Sequence, residues 1–413
     1  MKILHISTYD SGGAFIGANR LHRSLLKHNI DSKILVKNQY SAENNEKLSR
    51  INQKDKSLNI INRIQAKLGF PVTSKQKRYH FLSNKGNDFE IISFPFSDFE
   101  ITKTKEYEEC DIVHLHWVAG FLDYKSFFKK CKKPVVITLR DLFPIQGIFH
   151  YHNDYLNNKD TLGGLEDKMK DLKLCAIQNF KLPIYVVGIS SWITKESLKS
   201  TIHKGFEHFT IPNCINLDDY VIYDKKQVRK EFNIEMNSFV ISFVCHGVSA
   251  KRKGIDMLIK AISDLKIEQP ITVLTAGGGT PPQFPLNIIH RHLGKLNSEY
   301  LNKVYGASDV FVMPSREEAL GNVMLEAIAC GTPVLATPVG GPKDVIQEGV
   351  NGLLSKSVSS QGLKEVIERF IKSKSQYYPE KVKNSLKEKY TEEVIASKYI
   401  KLYKLLIENT IKK

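Results

Sequence analysis

Between Val310 and Asp344 the chain reads as a strand, a polar loop, a helix, a second strand and a glycine pair, and the rest of the sequence is best understood around this stretch. Val310 to Met313 and Val334 to Ala336 are short apolar runs of strand character, and the helix begins at Asn322 behind a Leu320-Gly321 turn. A strand that feeds a helix and then another strand is the unit of an α/β fold, which holds ligands at the carboxyl ends of its strands. Two carboxylates flank the helix entrance with seven residues between them: Glu318 in the loop, and Glu326 about one turn inside the helix. The first helical turn has unpaired N–H groups and a positive dipole end, so it can hold phosphate oxygens. An ionised carboxylate only accepts hydrogen bonds, so two of them at different depths around an anion site suit the hydroxyls of two sugars joined by a diphosphate. The dipole alone also favours glutamate in a loop and a first turn. The Gly331-Thr-Pro-Val turn and the Gly340-Gly341 pair that follow give the ligand reading its weight.

A chain of 413 residues exceeds what one hydrophobic core fills, so two domains are expected. Apolar content of 42% and charged content of 25% are globular values, and the net charge of +16 favours anionic partners. No run of about 18 apolar residues is present, and the opening MKILHIS lacks the long apolar core of a signal peptide; cytoplasmic residence is the expectation. The six cysteines show no C-x-x-C pairing and sit mostly among apolar residues, which predicts reduced, buried thiols rather than disulfides or zinc ligands.

Lys2 to Ser7 and Ser32 to Val36 are predicted strands around a helix with Ala18, Leu21, Leu25 and Leu26 on one face, one βαβ unit. Gly12 and Gly13 allow close backbone approach to a ligand at that helix entrance, and the absence of G-x-G-x-x-G counts against a nicotinamide site. Asp111 to Trp117 is a strand whose period puts His114 and His116 on one face, His116 being nearer the carboxyl end. Strands Val135 to Leu139 and Ile184 to Ile189 follow, then a helix with serine at its N-cap in Ser190-Ser191-Trp192. A second α/β series starts with strand Phe239 to Val244, helix Ile255 to Leu265 and strand Ile271 to Ala276. Its first loop carries Lys251, Arg252 and Lys253, which are either solvated charge or a clamp on a diphosphate. Thr391-Glu392-Glu393 predicts a capped helix to Ile411 with Ile395, Tyr399, Leu402 and Leu406 on one face.

The stretch Pro314 to Asp344 resembles the E-x7-E signature region of retaining glycosyltransferases of the GT-B fold, specifically glycosyltransferase family 4 and its polysaccharide and lipopolysaccharide branch. The resemblance implies two Rossmann-like α/β/α domains facing a central cleft. Residues 1–198 would form the acceptor-side domain, onto which the helix 393–413 packs back, and 199–392 the nucleotide-sugar domain. SGGAFIGANRLHRSLLKHNIDSKILV is similar to the family's first loop and helix, which face the donor phosphates. The H-x-H-W-x-x-G pattern implies that His116 reaches the donor sugar, and Arg140 stands where the branch more often has the His of T-x-H-D. Ile211 to Tyr220 resembles the P-N-G-x-D junction, with Cys214 in place of glycine. Lys253 matches the family's phosphate-binding Lys, whereas its Arg position falls on Gly247, so either Arg252 substitutes or neutralisation is weaker. His292-Leu-Gly294 is similar to the short strand near the nucleoside base.

The activity so implied is transfer of a hexose, with retention, from a nucleoside diphosphate sugar to a lipid-linked or oligosaccharide acceptor in surface polysaccharide synthesis. His116 and Glu318 are the expected catalytic residues. Gly12, Gly13, Arg252, Lys253, Glu318, Leu320, Gly321, Asn322, Val323 and Glu326 are the expected donor contacts. No Asp-X-Asp occurs, so no metal and no cofactor is expected, and front-face attack with the leaving phosphate taking the acceptor's proton is what the resemblance implies. A polyprenyl-diphosphate-linked or free glycan and an anionic membrane surface are the expected partners, and nucleic acid is not. Two other readings are a nucleotide-sugar epimerase on the same scaffold and a non-catalytic binder of sugar nucleotides or polyanions.

Residues 41–80 carry nine Lys or Arg against three acidic residues, with Leu58, Ile61, Ile64 and Leu68 at helical spacing beside Arg63 and Lys67. Each basic residue near an anionic leaflet contributes about 1 kcal/mol within a Debye length of roughly 8–10 Å. Flotation with vesicles rich in acidic lipid should therefore be reversible, weakened by salt and weakened by Arg63→Glu with Lys67→Glu. Binding indifferent to lipid charge would refute the peripheral placement at the inner face of the cytoplasmic membrane.

Overall fold

A computed structural model describes residues 1–40, 47–52 and 88–412. The stripe Leu58 to Leu68 lies outside the described residues, as does the rest of 41–80 apart from 47–52.

Apolar runs become two wholly parallel sheets. The first contains β1 (Lys2–Tyr9), β2 (Asp31–Asn38), β3 (Leu48–Arg50), β4 (Ile112–Leu115), β5 (Val135–Leu139), β6 (Ile184–Gly188) and β7 (Glu207–Thr210) in the order β3-β2-β1-β4-β5-β6-β7. The second contains β8 (Phe239–Gly247), β9 (Ile271–Gly278), β10 (Ile288–His292), β11 (Val310–Met313), β12 (Val334–Ala336) and β13 (Gly352–Leu354) in the order β10-β9-β8-β11-β12-β13. Both orders reverse direction beside their first strand, and the crevice at such a reversal is where open parallel sheets bind ligands. The central strands β4, β5, β6 and β11 are buried at every residue, which is why they read as continuous apolar runs without alternation.

The division expected at 198/199 comes one strand early. β7 adds to the first sheet beside β6, pairing Tyr185 with Glu207 and Gly188 with Thr210, so the first sheet runs to Thr210. Its exposed and half-buried pattern gives an edge strand little apolar signal. The C-terminal helix Glu392–Ile411 returns to the first sheet, burying Ile395, Tyr399, Leu402, Tyr403 and Leu406 with Leu21, Leu25, Ile112 and Val136. Thr391 occupies its N-cap position but bonds no helical N–H; its hydroxyl turns back to the Lys387 carbonyl at 3.2 Å. Ser190 does cap its helix, accepting from Ile193 N at 3.3 Å. Of the cysteines, Cys175 is exposed and the other five are buried, all as free thiols.

The helix His152–Gln178 is the largest element that the sequence reading passes over. Its buried positions, Asn158, Leu162, Glu166, Met169, Lys173 and Ile177, have regular three- and four-residue spacing, but half of them are polar. Their polarity serves the preceding loop. Glu166 accepts from the backbone N–H of Gly147 at 2.6 Å and Ile148 at 2.7 Å, and Lys173 donates to the carbonyls of Phe143 at 2.5 Å and Gln146 at 2.6 Å. A hydrophobic-period test misses a helix whose inward face is built to satisfy a loop's backbone.

Asp309, 3% exposed, is the corresponding polar knot of the second domain. It accepts from Arg229 at 2.9 Å, Lys374 at 2.8 Å, Lys225 at 3.2 Å and the Val240 N–H at 2.9 Å. Burial alone would raise its pKa, but Lys225, Arg229 and Lys374 outweigh that and hold it at about 2. Its stabilising contribution is complete above the unfolded carboxyl value near 4 and is lost as pH falls toward 2, on the order of 2 kcal/mol. Asp309→Asn should lower the melting temperature at pH 7 and flatten the acid limb of the stability curve between pH 4 and 2. An unchanged acid limb would contradict this.

Candidate functional site

The loops that leave β1, β8 and β11 meet across a cavity of about 640 Å³ between the two sheets. From the first domain Gly12 and Gly13 open the helix Gly12–Lys27, and from the second Gly321 precedes the helix Asn322–Ala329. Gly321 has φ +91°, and a Cβ there would come within 2.9 Å of Met313 Sδ, so a side chain would be both strained and crowded. The two loops touch: Asn322 Nδ2 donates to the Gly13 carbonyl at 2.9 Å. All ten residues expected to contact a donor, Gly12, Gly13, Arg252, Lys253, Glu318, Leu320, Gly321, Asn322, Val323 and Glu326, line this cavity.

Glu318 is buried, with Oε2 2.5 Å from Lys253 Nζ and 3.3 Å from Ser315 Oγ. Burial would raise its pKa, but Lys253 and Arg252 hold it below the usual carboxylate range. The expected phosphate ligand and the expected sugar acceptor are thus paired with each other. Arg252 is also committed. It donates to Glu90 at 3.1 and 3.0 Å and to the Glu317 carbonyl at 3.1 Å, with its guanidinium carbon 4.0 Å from the centre of the Tyr151 ring. Glu326 Oε1 accepts from Arg20 Nη2 at 2.8 Å, and Arg20 also donates to Tyr220 Oη at 2.7 Å. Arg20 sits on the first domain's opening helix, whose periodicity marks only its apolar face, so no pattern in the sequence signals its reach to Glu326.

His116 does not take its expected place. It is 1% exposed and is not among the residues lining the cavity; Arg140 is. The β4 strand ends at Leu115, and the chain then turns His116 inward, with Nδ1 2.9 Å from Arg140 Nη2 and Nε2 2.8 Å from His5 Nδ1. A guanidinium only donates, so His116 Nδ1 accepts, its proton lies on Nε2, and that proton is given to His5. Burial, and then the neighbouring His114, Arg140 and His5, push the His116 pKa well below its ordinary value, which keeps this tautomer neutral. His5, His114 and His116 bring ring nitrogens within 4.8 Å of one another. Both nitrogens of His114 are taken, by Tyr403 Oη and Thr138 Oγ1 at 2.7 Å each, and a fixed cation faces His116, so the nitrogens of these two rings are committed to hydrogen bonds rather than to a metal.

Tyr9, Trp117 and Asp141 also line the cavity, Trp117 and Asp141 from the H-x-H-W-x-x-G and Thr138-to-Asp141 segments and Tyr9 without a sequence signal. Tyr9 and Trp117 have ring centres 5.5 Å apart on the first domain's wall. Asp141 accepts from Trp117 Nε1 at 2.6 Å and pairs with His150 Nδ1 at 2.6 Å.

Residues 224–389 match the family described as Glycosyl transferases group 1. Over that part of the second domain the chain is similar to group 1 glycosyltransferases. The chain is similar to an uncharacterised glycosyltransferase of Methanocaldococcus jannaschii, 29% identical over 314 residues covering 73% of this chain and 77% of that one. In fold it is similar to sucrose-phosphate synthase of Thermosynechococcus elongatus, with TM-score 0.69, 17% identity and coverage of 99% and 100% of the two chains. It is also similar to Anabaena HepE in complex with UDP and glucose, with TM-score 0.64, 15% identity and coverage of 98% and 99%. At these identities the structural likeness speaks to the fold, which is GT-B.

The Arg20–Glu326 pair changes what a substitution at Glu326 does to the protein. Removing the carboxylate strands a largely buried guanidinium, so Glu326→Ala should lower the melting temperature of the ligand-free protein. Glu326→Gln keeps the shape and an acceptor oxygen and should lose less stability, while nucleoside binding still falls by about 1–3 kcal/mol. Calorimetry that finds nucleoside affinity unchanged in both variants would remove Glu326 from the ligand contacts.

Proposed function

We propose that the chain is a retaining hexosyltransferase that takes a nucleoside diphosphate sugar and extends a lipid-linked or oligosaccharide acceptor in surface polysaccharide synthesis. One observation carries this reading: the glycine loop after β1 and the helix entrance at Asn322 converge on one cavity with a carboxylate on either side. Glu326 Oε1 is held by Arg20, and Oε2 makes no hydrogen bond among the described residues, which leaves it for a ribose hydroxyl. The helix entrance and Lys253 face the diphosphate, and Glu318, sharing Lys253, accepts from a sugar hydroxyl. Fixed donors aimed at the charge that develops on a leaving diphosphate need no reorganisation during the reaction. We therefore assign neutralisation to these side chains and N–H groups, with no metal and no cofactor required.

In the proposed step the acceptor oxygen bonds to the anomeric carbon on the face from which the phosphate oxygen departs, and the acceptor's proton passes to that oxygen. Neither Glu318 nor Asp141 is offered as nucleophile, since Glu318 is bound to Lys253 and Asp141 to Trp117 and His150. A glycan acceptor fits the Tyr9–Trp117 wall, which Tyr40 extends at 6.0 Å from Tyr9, because aromatic faces pack against sugar rings. A membrane-linked acceptor fits the excess of positive charge, and no described helix is long and apolar enough to cross a membrane.

Melting curves with a panel of nucleoside diphosphate sugars in chelator test the reading. A donor at a hundred times its Kd should stabilise by about 2.7 kcal/mol. Lys253→Ala should weaken the donor and the free nucleoside diphosphate alike, by about tenfold or more, and leave the bare nucleoside unaffected. Donor turnover without acceptor would favour an epimerase, and salt-sensitive nucleic-acid binding without sugar transfer would favour a polyanion binder.

A further inference from the structure

Four cations turned away from water surround the cleft: Arg20, Arg140, Arg252 and Lys253. Three are matched by carboxylates within 3.0 Å, namely Glu326, Glu90 and Glu318. Arg140 is different. It is 9% exposed and lines the cavity, yet among the described residues it has no carboxylate partner, and its Nε has no hydrogen-bond partner. Its contacts are to neutral acceptors, His116 Nδ1 through Nη2 and Asn213 Oδ1 through Nη1. A buried guanidinium without a counter-charge costs stability, and an anionic ligand relieves that cost.

The surroundings say which anion. Asn213 Nδ2 donates to Asn322 Oδ1 at 2.7 Å, and Asn322 Nδ2 donates to the Gly13 carbonyl at 2.9 Å. The guanidinium is thus linked by side-chain hydrogen bonds to the two loops that face the phosphates. The room it occupies is left by Gly17, where a Cβ would collide with Arg140 Nη1 and Asn213 Oδ1. Arg252, the other candidate for a second phosphate-binding cation, already has Glu90, Glu317 and Tyr151.

We propose that Arg140, supplied by the first domain and oriented by His116 and Asn213, is the second cation on the leaving diphosphate, in place of one that position 247 lacks. His116 is then a positioning residue. Its neutral imidazole accepts from the guanidinium without cancelling its charge, which a carboxylate would do. Positive charge then reaches the diphosphate from both domains, Lys253 on one side and Arg140 on the other, so it is complete only when the cleft is closed.

The inference rests on the nucleoside diphosphate sugar reading, and titration calorimetry with a nucleoside, its monophosphate and its diphosphate separates the two. Arg140→Met should weaken the diphosphate by about tenfold or more while changing nucleoside affinity by less than about twofold. Arg140→Lys should restore part of the loss. Gly17→Ala, which displaces the guanidinium but keeps its charge, should reproduce the Met pattern in weaker form, and it provides the test if the Met variant does not fold. Diphosphate affinity equal to wild type in both Arg140→Met and Gly17→Ala would overturn the proposal, as would a raised acceptor KM with diphosphate affinity unchanged. A wild-type protein that binds no nucleoside diphosphate would instead remove the functional reading beneath it.

Discussion

The site depends on positive charge held out of water between two sheets. An ion moved into a poorly hydrated cleft is stable only if something nearby offsets the lost hydration. Around this cleft the offsets are of two kinds. Arg20, Arg252 and Lys253 have carboxylates beside them, so the cost of burying them is offset before any ligand arrives. Arg140 has an imidazole and an amide oxygen, so its charge persists. A ligand carrying phosphate and hydroxyl groups meets both kinds, with free charge for the one and spare carboxylate oxygens for the other.

The same balance joins the domains. Glu317 of the second domain accepts from the first N–H groups of the helix His152–Gln178, at 3.0 Å from His152 and 3.3 Å from Asn153. Asp344 accepts from Ser191 N at 2.6 Å at the start of the helix Ser191–Lys199. Two helices of the first domain therefore find their N-terminal carboxylates on the second, where the helix dipole favours them. With Arg252–Glu90 and Arg20–Glu326 these contacts bridge the two domains, and all of them would have to part for the cleft to open. They are polar and exchangeable with water, unlike the shared apolar core that fastens the C-terminal helix to the first sheet. Opening is thus expected along the polar seam, with the C-terminal helix moving with the first domain.

Much of the scaffold was legible in the chain itself. Strands of a doubly wound parallel sheet are buried on both faces, so β1, β4, β5, β6, β8 and β11 announce themselves as apolar runs, and glycines punctuate the loops that follow. Residues at the cavity were legible for the same reason: Gly12, Gly13, Lys253, Glu318, Gly321, Asn322 and Glu326 lie in short segments beside those strands, and local order places them there. Edge strands β3 and β7 and the helix His152–Gln178 were not, because their burial is partial or their inward face is polar. What only tertiary structure decided is the pairing of groups far apart in the chain: Arg20 with Glu326, Glu317 with a helix start, and His116 with Arg140 rather than with the cavity. A sequence shows which residues can bear charge or donate a proton. Which of them remain unmatched depends on distances of about 3 Å between segments that only the folded chain brings together.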